Sequence, residues 1–100
     1  MSITDLILKE FKERMHLGDY EDENLKRILS ASLQELTRVC GKYDVEKDEP
    51  FKELVFERSR YAYNDALEYF NTNFLSQINS LSMEKALESI SVEGDVDAAI

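Results

Sequence analysis

The sequence predicts an all-α fold: a small bundle of three main helices, then an extended C-terminal arm and a short terminal helix. Two observations carry this. The 100 residues include only 3 Gly and 1 Pro, whereas all-β domains need many turns and use more of both. Apolar residues recur at steps of three and four over most of the chain, the spacing that lines one face of a helix. Hydrophobic residues are 43% and charged residues 33%, a globular composition. A chain of this length buries roughly 65% of its unfolded surface, enough for one modest core. One domain is expected over residues 1–90, with a disordered tail over 91–100.

Ile3, Leu6, Ile7, Phe11 and Met15 share a face and predict a first helix from Ile3 to Met15. Thr4 or Ser2 caps its start, and Gly18 ends it just beyond the lone His16. The acidic run Gly18 to Asn24 reads as a loop entering a helix, its carboxylates meeting unpaired N–H groups and the positive helix end. It resembles a calcium loop only superficially, because the central Gly that such a loop needs is missing. The second helix spans Asp22 to Cys40, with a stripe of Leu25, Ile28, Leu29, Leu33, Leu36, Val39 and Cys40, and Gly41 as its C-cap. Tyr43 and Val45 pin the connection from Lys42 to Asp48 onto the core.

The third helix is expected from Pro50 to Asn71, with Asp48 or Glu49 as cap and Pro50 in the first turn, where its missing N–H costs nothing. One face carries Phe51, Leu54, Val55, Ala62, Ala66 and Phe70; a second carries Phe56, Tyr63, Leu67 and Phe74. An apolar arc that wide belongs to a central helix. Beyond Asn73, Ser76, Asn79, Ser80 and Ser82 break the pattern. An extended arm over Phe74 to Ser82 and a short helix from Met83 to Ser89 follow.

The composition argues against several functions. The net charge of −9 opposes a groove-reading DNA binder, which must neutralise phosphates with Lys and Arg. It suits solubility, a basic protein partner, or a path along which DNA slides without sticking. One His and one Cys, a lack of zinc spacing and no Gly-rich phosphate loop leave no catalytic kit. No catalytic residue, cofactor or metal ligand is expected. Cys40 reads as a small buried hydrophobe in a reducing compartment. Residues Met1 to Phe11 lack a basic region followed by an apolar run, so no signal peptide is expected, and no stretch approaches the ~20 apolar residues of a membrane span.

The segment from Phe56 to Asp65 interleaves aromatic residues with Arg58 and Arg60. Such alternation elsewhere marks nucleic-acid surfaces. In so acidic a helix the arginines bind carboxylates, within the chain or across a subunit boundary, and Asp65 lies within one to two turns of Tyr61 and Arg58.

The run from Glu57 through Asp65 to Phe70, continuing to Asn73-Phe74-Leu75 and Ile78-Asn79-Ser80-Leu81-Ser82, resembles the long-helix signature of small head–tail connector (head-completion adaptor) proteins of tailed bacteriophages. Phe11 to Met15 before an acidic loop, then Asn24 to Leu29, follows the same plan. The resemblance covers roughly residues 5–90 and rests on segment order and length, not on a catalytic motif. It implies a helical subunit of the virion, made in the bacterial host cytoplasm, that forms a ring below the capsid portal. Its implied partners are the portal protein, the next head-completion or tail protein, and copies of itself. DNA passes through without specific binding, and no membrane is involved. Acidic residues lining that passage would repel DNA, and reversing them to Lys is then expected to retard DNA transit.

The segment from Phe74 to Ile90 holds apolar residues without a clean period, as expected of a segment that orders against a neighbour. The candidate interface residues are Arg58, Arg60, Tyr61, Tyr63, Asp65, Phe74, Leu75, Ile78, Leu81, Met83 and Leu87. The competing function is a small acidic regulator or inhibitor that covers a basic surface on a host protein. Clusters at Lys9, Lys12, Arg14 and at Lys26, Arg27 interrupt the carboxylate face this needs. A helix-turn-helix regulator would need a basic recognition helix, which is missing.

Overall fold

Thr4 opens the first helix as expected, its hydroxyl accepting from the Ile7 N–H at 3.3 Å. The computed structural model describes the backbone of residues 3–98 and the side chains of residues 3–90. It is all-α, with no strand among the described residues. The helices are α1 (Asp5–Met15), α2 (Asp22–Cys40), α3 (Glu49–Tyr63), α4 (Phe70–Asn73) and α5 (Leu75–Ala98), with a 3-10 turn at Leu67–Tyr69. The tail expected over 91–100 lies outside the residues described with side chains.

The end of α1 differs in detail from expectation. His16, not Gly18, takes the left-handed conformation, with φ 58°. It lets the Leu17 N–H reach back to the Lys12 carbonyl at 2.9 Å. The acidic loop also acts differently. Glu21 occupies the N-cap of α2 without a side-chain cap bond. Instead Asp19 and Asp22 bind Lys12 from two sides, at 2.6 and 2.9 Å. The loop is therefore held to α1 by a shared cation rather than to α2 by capping.

Helix α2 has the bounds its stripe predicts, and it packs on both α3 and α5. Leu25, Leu29, Leu33 and Leu36 on α2 meet Ile7 and Phe11 of α1 and Phe51, Leu54, Val55 and Phe56 of α3 in one core. Each fully buried side chain of this kind contributes about 1.5–3 kcal/mol of transfer free energy. Tyr43 and Val45 are buried as expected. The Tyr43 ring stacks on Phe51 with centroids 5.2 Å apart. Asp48 caps α3 by accepting from the Phe51 N–H at 3.0 Å.

Two expectations are corrected here. Helix α3 stops at Tyr63 and does not run on to Asn71. Asn64 donates its side-chain amide to the Arg60 carbonyl, and Asp65 adopts φ 56°. Asn and Asp tolerate these conformations better than other residues carrying a Cβ. The break re-aims the chain so that Phe70 and Phe74 turn inward. They stack on each other at 5.1 Å, and each meets the edge or face of Tyr61 at under 6 Å.

The expected arm and short helix are also wrong: residues 75 onward form the single helix α5. Phe74, Ile78 and Leu81 supply the face that packs on the core. Ser82, read as a pattern breaker, donates its hydroxyl to the Val39 carbonyl at 3.0 Å and so fastens α5 to the end of α2. The Tyr43 hydroxyl donates to the Leu81 carbonyl at 2.6 Å, a second fastening.

Candidate functional site

Helix α5 carries two apolar faces. Ile78 and Leu81 are buried against α2 and α3, at 6% and 5% exposure. Leu75, Met83, Leu87 and Ile90 lie on the other side, at 53%, 62%, 54% and 59%. Met83, Leu87 and Ile90 follow one another at steps of four and three, so they stand in a row along the helix. With Leu75 set apart from that row, four large apolar side chains on α5 are each more than half exposed, and no described residue covers them.

The predicted interface residues therefore divide. Ile78 and Leu81 belong to the chain's own core and are closed to a partner. Leu75, Met83 and Leu87 are open. Phe74 is half-buried beneath α5 and against Tyr61. Ile90, the end of the segment expected to meet a neighbour but not one of the named candidates, completes the row; its place three residues after Leu87 was the signal.

The residues of the aromatic–arginine segment part company in the same way. Arg60 pairs with Glu57 at 2.8 Å and lies over the Tyr61 ring at 5.1 Å. The Tyr61 hydroxyl accepts from Asn73 at 2.9 Å. The Tyr63 hydroxyl donates to Glu21 at 2.6 Å, which pushes its pKa up. Asp65 forms no ion pair with Arg58 among the described residues, because α3 has ended before it and the turn points it into solvent.

Arg58 is the exception in this group. It is half-buried at the α2–α3 contact and donates to the Ser32 hydroxyl at 3.2 Å, with burial lowering its pKa.

A trough runs between α3 and the first half of α5. Leu54, Phe74 and Leu81 lie along its bottom, and Glu53, Glu57 and Glu84 stand among its walls. Arg14 reaches Glu53 from α1 with two hydrogen bonds, one of 2.9 Å, and holds that carboxyl below its ordinary range. Cys40 is buried, and desolvation raises its pKa, so its thiol is not activated. Among the described residues no group of three His, Cys, Asp or Glu is placed to hold a metal ion, and no helix is long and apolar enough to cross a membrane. Among the described residues, the exposed apolar side chains of α5 and the acid-walled trough are the main surface features. Compared with known proteins, the chain matches no family model, no curated protein and no solved structure.

Proposed function

We propose that the chain is a structural head–tail connector subunit of a tailed bacteriophage, joining a ring below the capsid portal, extending the DNA channel and docking the next connector or tail component. One observation carries the reading most: the exposed apolar row of Met83, Leu87 and Ile90, with Leu75 beside it, on a helix whose other face is already committed to the core. A surface of that kind is stabilised by burial against another protein, at about 25 cal/mol for each Å² removed from water. The segment resemblance set out above supplies the class of assembly. The surplus of 21 acidic over 12 basic residues suits a channel wall past which DNA slides.

Cutting the chain at Asn73 would remove Ile78 and Leu81 from the core, so truncation there would unfold more than the interface. The informative changes are at exposed positions. The purified chain, added to tailless capsids and viewed by electron microscopy, is expected to add density at the portal vertex. Met83→Asp with Leu87→Asp is expected to abolish that density while leaving the circular dichroism of the chain unchanged. A folded chain that adds nothing to portals of several related phages would overturn the connector reading in favour of an acidic regulator.

A further inference from the structure

We propose that the α3–α5 trough is the seat of a basic amphipathic helix belonging to a different protein. The inference deepens the connector reading by naming the chemistry of a partner segment. The trough encloses about 530 Å³. A second hollow of about 530 Å³ shares Ser76, Ser80 and Glu84 with it and carries the surface on to Met83 and Leu87. The two together run from Phe74 to Leu87, roughly 20 Å along α5 at 1.5 Å per residue. That is the length of about three and a half helical turns. A furrow between two packed helices is also the shape into which a third helix settles.

The charge selects the occupant. The side chains lining the trough include Glu53, Glu57 and Glu84 and not one Lys or Arg. Arg14 and Arg60 engage Glu53 and Glu57. Glu84 has no ion-pair partner among the described residues, since the neighbouring Lys85 pairs with Glu88. The sequence extends this bias: from Glu84 onward, Glu84, Glu88, Glu93, Asp95 and Asp97 stand against Lys85 alone. An occupant must therefore offer apolar side chains to Phe74, Met83 and Leu87, over a floor closed by the buried Leu54 and Leu81, and cations to the rim.

A second copy of this chain does not meet that requirement. Its helix α1 balances Lys9, Lys12 and Arg14 against Asp5, Glu10 and Glu13, and has Ile7, Leu8 and Phe11 already buried in its own core. The exposed apolar row of α5 is flanked by Glu84 and Glu88, so two such rows laid together would oppose like charges. Nucleic acid is excluded by the lack of any basic residue in the lining.

The test uses the full chain and a synthetic helical peptide of about 18 residues, Leu at core spacing and Lys elsewhere. The control peptide has Glu in place of Lys. Binding is followed by anisotropy and by amide shifts of the labelled chain at about 0.15 M salt. The Lys peptide is expected to bind, with shifts confined to α3 and to residues 74–87. Glu84→Lys and the Met83→Asp, Leu87→Asp pair should each weaken it about tenfold. Glu23→Lys, at the far end of α2, should change it less than about twofold.

Four results would overturn the proposal. These are no binding, equal binding of both peptides, equal weakening by Glu23→Lys, or a dimer of the chain that Met83→Asp dissociates. The last would make a second copy the occupant. Because no portal enters the experiment, its failure is separate from failure of the connector reading.

Discussion

The guanidinium of Arg58 and the hydroxyl of Ser32 lie 3.2 Å apart across the α2–α3 contact, at the head of a chain of polar groups inside an otherwise apolar layer. Ser32 and Ser59 are both fully buried, their oxygens 2.9 Å apart, and Ser59 donates to the Val55 carbonyl at 2.7 Å. A hydroxyl has one proton, so with Ser59 committed to Val55, Ser32 donates to Ser59 and accepts from Arg58. The relay satisfies both serines. It leaves Arg58 with Ser32, a neutral group, as its one hydrogen-bond partner among the described residues, and with Glu35 acting on its half-buried charge only through space.

Arg58→Met should therefore leave the isolated chain at least as stable as the parent, because replacing a poorly paired cation with an apolar chain of similar length removes a desolvation cost. Ser32→Ala should lose about 1–3 kcal/mol, since it strips a partner from groups that stay buried. Thermal melts of the two variants check this. An Arg58→Met variant that melts well below the parent would mean that the guanidinium stabilises the α2–α3 contact in the isolated chain.

Gly41 sits where the end of α2 passes beneath α5. Its backbone has φ 104° and ψ 178°, a region open essentially to Gly alone. A Cβ there would stand 2.5 Å from Cγ of Lys85. Lys85 is held in place, its ammonium 4.3 Å from the centre of the Tyr43 ring. Gly41→Ala is expected to cost about 1–3 kcal/mol from the backbone, plus a further part from the clash. Lys85→Ala in the same chain should recover only the second part. A double-mutant cycle by urea denaturation measures both, and full recovery would place the whole cost in the clash.

How far these features were legible depends on range. The bounds of α2 could be read because a long stripe ends at a Gly, both local signals. The end of α3 could not. Ala62, Ala66 and Phe70 continue the helical spacing straight across the break, so only the weaker turn preference of Asn64 and Asp65 marked it. Helix α5 was hidden by its two apolar faces: Ile78 and Leu81 serve the core while Leu75, Met83 and Leu87 face away, and two faces blur the period that reveals one. The trough was beyond reach, since Glu53 and Glu57 read as ordinary surface charge until Glu84 arrives opposite them from a helix far along the chain.

Arg14 and Glu53 join α1 to α3, and this pair gives the fold an acid sensitivity of known sign. The Glu53 carboxyl is held below its ordinary value of 4.5, chiefly by its hydrogen bonds to Arg14. A carboxyl lowered in the folded state adds stability above its unfolded pKa and loses it as pH falls through the folded value. Because the pair is partly exposed, it is worth only about 0.5 kcal/mol, or roughly 2–4 °C of Tm in a domain of this size. Glu53→Gln should melt lower than the parent at pH 7, and the two curves should converge as the pH falls through the lowered value of the Glu53 carboxyl. A gap that stays constant throughout the acid titration of the fold would assign the loss to packing instead.

Phe70 ties the last two helices to the rest. Its ring is 2% exposed, stacked on Phe74 and set against Tyr61 at 5.8 Å. It belongs to α4, a single turn with few other contacts to the core. Phe70→Ala should cost about 3–5 kcal/mol, the usual loss for a buried aromatic ring. The position of the cost matters more than its size. Without Phe70, α5 keeps the Tyr43 and Ser82 hydrogen bonds and the packing of Ile78 and Leu81, but loses the aromatic joint at its start. Amide exchange in α5 should then accelerate well ahead of exchange in α2, whose leucine stripe does not depend on that ring. An equal acceleration in both would mean that α5 opens only with the whole domain, and the exposed apolar row it bears would be as rigid as the core beneath it.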